Sequence, residues 1–153
     1  MSEDGKKLKE LVDGMQTAML TSTEPDGALR SRPLTVQRVD EDGTIWFLVT
    51  TSSEWLSIEH LATCNVAFVS DDAWVSATGG ARLVQDQAVL DDLGDPISNS
   101  WFTGDDPPAA LRVDVEHADW WTAEGKLRRL VDMGRAAFRD TQPDVGDRGV
   151  VHP

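Results

Sequence analysis

The chain has one cysteine, few basic residues and no long apolar run, and each shortage closes off a class of function. A lone thiol, Cys64, cannot form an intramolecular disulfide and leaves no thiolate set for structural zinc or an iron–sulfur cluster. Acidic residues number 27 against 14 basic ones, a formal charge of −13, which disfavours a broad electrostatic footprint on nucleic acid or anionic membrane. No apolar run approaches the roughly 20 residues that span a bilayer. The opening MSEDGKKLKE has no signal-peptide core, so a cytoplasmic location is expected. A Gly-rich phosphate loop, a metal-ligand spacing and a nucleophile elbow are missing too, and the three histidines, His60, His117 and His152, form no pattern suited to a metal or a proton relay. Any chemistry is therefore expected to be carried by a cofactor rather than by a side-chain acid or base.

What is present is a run of strands. At 153 residues the chain fits one domain, 1–153, with a real core, and the stretch 143–153 is expected to be a loosely ordered tail. Leu8, Leu11, Val12 and Met15 fall at i, i+3, i+4 and i+7, the stripe of a short helix capped by Ser2 or Asp4. TAMLTST, ALRSRPLTVQRV and TIWFLVT read as strands joined by turns at EPDG and DEDG. SEWLSIEHLA has helical spacing behind Ser52 or Ser53 and leads into the strand NVAFVS. WVSATGGARLVQD is a long strand whose Gly79-Gly80 pair predicts a bulge or a close backbone approach. QAVLDDLGDP reads as a short helix, SNSWFTGDDPPAA as a loop, ALRVDVEHADWW as a strand, and 126–139 as a C-terminal amphipathic helix. About six antiparallel strands without β–α alternation predict a mainly β, α+β fold: a small barrel with peripheral helices. Trp46 and Trp74 are expected in its core.

The ordered strings SRPLTVQ, IWFLVT, AWVSATGGARLVQD, SWFTGDDPP and LRVDVEHADWW resemble the general stress protein branch of the pyridoxamine 5'-phosphate oxidase-like flavoproteins. The resemblance runs from about Leu8 to the C-terminus. It implies a six-stranded antiparallel split β-barrel that forms a homodimer, with FMN held in clefts between the subunits. Six tryptophans in so small a chain suit that reading, because a flavin ring needs a flat apolar slot and a dimer needs aromatic anchors.

The same resemblance implies the cofactor contacts. Arg32 would face the phosphate, Leu34 the ring and Gln37 the pyrimidine end; Ser53, at the start of the helix after the third strand, matches the serine of a second phosphate-binding element; and Ser31, Val49, Thr50 and Trp101, in the W-F loop beside Phe102, would line the rest of the site. Pro33 lacks an N–H and so suits an edge strand or a bulge. The sequence departs from the family at two positions: the proline expected after W-F is Thr103, and the lysine expected two residues after Ser53 is Trp55, with no lysine or arginine between Arg38 and Arg82. A lost charge-assisted phosphate contact costs about 1.5 to 3 kcal/mol, which weakens FMN binding without excluding it. Arg30, a helix N-terminus at Ser52 and Ser53, or an arginine of 126–139 would have to compensate.

Two functions therefore compete. The first is a dimeric FMN-binding stress protein, an oxidoreductase of weak activity on an unidentified small molecule. The second is a cofactor-free split barrel serving as a binding or interaction protein, with Trp55 plugging the phosphate end. Relatives that bind a deazaflavin cofactor or haem supply a third possibility, although residues 31–81 offer few cations and only His60 and His117 as axial ligands.

Overall fold

The computed structural model describes residues 3–53, 55–56, 61–94, 108–122 and 148–153. Residues 54 and 57–60 of the expected helix SEWLSIEHLA (53–62), the loop bearing Trp101 and Phe102 and the helix at 126–139 lie outside the described residues.

Seven strands make one antiparallel sheet: β1 (Thr17–Thr23), β2 (Leu29–Val39), β3 (Ile45–Thr50), β4 (Cys64–Val69), β5 (Ala73–Val84), β6 (Pro108–Thr122) and β7 (Arg148–Val151). Their order is β3-β2-β1-β4-β5-β6-β7, and β3 also pairs with β6, which closes the first six into a barrel. Among the described residues two helices, α1 (Glu3–Val12) and α2 (Gln87–Leu93), flank it. Alternation sets what faces inward. In β1 the side chains of Ala18, Leu20 and Ser22 are buried while Thr17 and Met19 are exposed, and Val66 and Phe68 of β4 and Val75 and Ala77 of β5 fill the same interior. Leu8 and Val12 of α1 join this core.

Short turns hold the registers. Gly27 and Gly43 close the EPDG and DEDG turns at φ of 84° and 89°, a conformation glycine adopts without strain. Asp86 caps α2 by accepting the N–H of Ala88. The Gly-Gly pair produces both expected features: the β5–β6 register shifts between Thr78 and Gly79, and a Cβ on Gly79 would sit 2.0 Å from the carbonyl oxygen of Asp114. Gly79→Ala is accordingly expected to lower the unfolding free energy by about 1 to 3 kcal/mol in urea denaturation. An unchanged midpoint would show that the bulge accommodates a side chain.

Two expectations need correction, and a third is sharpened. The tail is not loose at its end, because Arg148–Val151 pairs with β6, Val151 is buried, and the backbone N–H of His152 donates to the carboxylate of Asp4. Asp4 itself lies inside α1, which begins at Glu3, so it is not the helix cap. Trp46 is buried as expected, with its indole N–H on Asp40 at 2.8 Å, but Trp74 is only half-buried, since Ala73 and Val75 take the inward positions around it. Pro33 does sit at an open edge as expected, although β2 as a whole is an inner strand of the sheet. Residues 29–35 pair with β1 alone, and β2 reaches β3 only from Val36 onward, across an irregularity at Gln37. The Val36 N–H donates to Gln16 in the direction of β1, so by alternation the nitrogens of residues 31, 33 and 35 point the other way. Pro33 therefore lacks a donor on the side where no described strand needs one.

Candidate functional site

The split between the first half of β2 and the turn that follows β3 gathers most of the expected site residues. Arg32 lies opposite Leu20 in the β1–β2 register and extends along the inner face, past Ser22, toward the hairpin turn. Its guanidinium donates to the Oγ of Ser22 at 2.8 Å and to the carboxylate of Glu24. The ring centroid of Trp55 stands 4.2 Å from its central carbon. The pair is largely shielded: the side chains of Arg32 and Glu24 are 17% and 14% exposed, and Ser22 is 1% exposed. An ion pair of this kind, backed by a buried hydroxyl and covered by an indole, is a fixed part of the fold rather than a mobile surface contact.

The remaining residues separate. Leu34, two positions on, packs against the core from the same face of β2. Ser31 points to the opposite face, where its hydroxyl meets that of Thr21 at 2.5 Å. Thr50 and Ser53 share a hydrogen bond of 3.0 Å in the turn that delivers Trp55. Val49 is buried in the core opposite Ala109, and Gln37 sits at the β2 irregularity. Trp101 lies outside the described residues. Alternation alone would have put Glu24 on the face of Leu20 and Ser22; reading EPDG only as a turn hid it as the partner of Arg32.

Other described arginines of the barrel are also engaged. Arg30 pairs with Asp26 at 3.2 Å on the exposed side of the same turn. The backbone N–H of Ala28 holds the Asp26 carboxyl below its ordinary range, against a smaller opposing effect of desolvation. Arg38 bridges Asp40 at 2.7 Å and Asp92 at 2.6 Å, which raises its pKa above the usual arginine value. Arg112 contacts Asp114 at 2.8 Å. Burial pushes the Cys64 thiol up to about 11, so it stays protonated and unreactive near neutral pH. His117 hydrogen-bonds Asp119 at 3.1 Å and stands 4.8 Å from the His152 ring. Among the described residues no cluster of three or more His, Cys, Asp or Glu is placed to hold a metal.

A flavin tests this geometry at both ends. The open side of residues 29–35 offers the N–H and C=O of Ser31, the C=O of Pro33 and the N–H of Thr35, which suits a ring that both accepts and donates hydrogen bonds. The phosphate end does not fit. A dianion there would meet a guanidinium already neutralised by Glu24 and covered by Trp55.

Comparison with known proteins was made on this footing. Residues 3–144 match the family described as pyridoxamine 5'-phosphate oxidase like. A search of curated proteins returns no match. Among solved structures, the general stress FMN/FAD binding protein of Xanthomonas citri is 30% identical, with 82% of this chain and 93% of that chain covered and a TM-score of 0.66. A candidate general stress protein 26 from Jannaschia sp. CCS1 is 23% identical over 100% of this chain and 99% of that chain, with a TM-score of 0.69. A haem binding protein of Mycobacterium smegmatis is 13% identical, covering 82% of this chain and 57% of that one at a TM-score of 0.62. The last two likenesses show the fold alone.

Proposed function

Because the chain belongs to the pyridoxamine 5'-phosphate oxidase-like family, we propose that it is a flavin-binding split barrel of the general stress type, with the isoalloxazine ring lying along the open side of β2. The observation that carries this reading is the one-sided pairing of residues 29–35, which leaves backbone donors and acceptors facing the split. Leu34 would pack beside the ring and Ser31 and Thr35 would hydrogen-bond it. When bound, the flavin would supply hydride or single-electron transfer to a small molecule. The chain's own part is to hold the ring and keep water from it.

The proposal includes a cytoplasmic homodimer. Met19, Leu29, Val69 and Val150 are exposed at 41%, 75%, 68% and 51%, and all four stand on the outer face of the sheet. Apolar side chains spread over one face of a sheet favour burial against a second copy. No helix among the described residues is long and apolar enough to cross a membrane.

A second reading, a cofactor-free interaction protein, rests on the indole of Trp55 over Arg32 inside the split. Titration with riboflavin and with FMN, followed by tryptophan fluorescence, separates the two. Saturable quenching by either flavin supports the first reading, and no quenching by either up to millimolar concentration supports the second.

A further inference from the structure

The turn that closes the β1–β2 hairpin places a carboxylate where a ligand's anionic end would otherwise meet its cation. Glu24 accepts from Arg32, and its backbone cannot withdraw. Its N–H donates to Ala28 at 2.8 Å, and its carbonyl accepts from Gly27 at 2.8 Å, so the residue is pinned at the base of the hairpin. A phosphate approaching Arg32 could turn the carboxylate aside but could not remove it from the site. Around the guanidinium, Ser22 takes one donor at 2.8 Å and the Trp55 ring covers a face with its centroid 4.2 Å away. Asp26, two residues further on in the same turn, holds Arg30. The described cations at this end of the split are thus each matched by a carboxylate of the chain's own, so among the described residues a phosphate meets no cation whose charge is not already balanced.

We infer that Glu24 serves as the internal anion of this site, so that the split takes a flavin with an uncharged ribityl tail, riboflavin, in preference to its phosphorylated form. The inference rests on the proposed flavin reading and sharpens it by naming the ligand class. A neutral polyol loses nothing beside Glu24. Its hydroxyls donate to a carboxylate and accept from the guanidinium, so the pair that repels a phosphate can bind it. Trp55 completes the selection, because an indole excludes hydrated anions from the space where a lysine would attract them.

The test is a pair of titrations on the full chain and on Glu24→Gln. The unmodified protein is expected to bind riboflavin at least as tightly as FMN. Glu24→Gln, which keeps the shape and removes the charge, is expected to shift the preference toward FMN by roughly tenfold or more. Tenfold tighter binding of FMN by the unmodified protein would overturn the inference and leave the flavin reading standing. An unchanged preference in a folded Glu24→Gln variant would overturn it as well. Failure of both flavins to bind would overturn the inference and the flavin reading together. Should Glu24→Gln not fold, the preference of the unmodified protein decides by itself.

Discussion

Arg32→Ala is expected to destabilise the protein by about 2 to 3 kcal/mol, far more than the loss of an ordinary surface arginine. Three groups lose their partner at once: the Glu24 carboxylate, the Ser22 hydroxyl and the face of Trp55. Removing one member of a buried pair costs about 3 to 5 kcal/mol, because an uncompensated charge stays behind. The 17% and 14% exposure of the two side chains admits some water and brings the figure toward the lower end. In a domain of this length that is a fall in Tm of about 5 to 10 °C. Calorimetry checks it, with Arg32→Ala combined with Glu24→Gln as the control, since the double variant carries no orphan charge and should recover part of the loss. A shift matching the 0 to 1 kcal/mol of an exposed pair would show that the cluster is not a fixed part of the fold.

Phe47→Ala is expected to cost about 3 to 5 kcal/mol, the largest effect of any substitution considered. The side chain is fully buried in β3, where it stands opposite both Val36 of β2 and Leu111 of β6. It therefore packs at the junction where the barrel closes on one side and begins to split on the other. Chemical denaturation should show a midpoint shift at unchanged slope. A cost below about 1.5 kcal/mol would mean that the core collapses into the space left by the ring.

Local pattern carried most of the fold into the sequence. Two-residue alternation marked the strands, and the Asp-Gly and Gly-Gly pairs marked turns and a bulge where the backbone has those shapes. Contacts between distant segments were harder to read. Nothing near TIWFLVT announces that β3 will pair with β6, 58 to 68 residues away, and the short polar run before Val151 gives no local sign that it becomes β7. Pro33 was legible as a residue that needs a free side, but the half-paired strand that supplies it depends on where β3 stops following β2. At the site, the alternation that makes β1 a strand also determines which residues Arg32 can reach. Ser22 and Glu24 follow from the hairpin register, so the ion pair could have been deduced from the turn alone. The missing lysine was visible as Trp55, whereas its stacking on Arg32 required the turn after β3 in three dimensions.

The most direct test of this account is the ratio of the FMN to the riboflavin dissociation constant for the unmodified protein, from fluorescence titrations in one buffer. A neutralised anion position predicts a ratio of one or greater. A ratio of about 0.1 or less, meaning FMN held at least roughly tenfold more tightly, would contradict it, because the phosphate would then be finding a cation that Glu24 does not already hold.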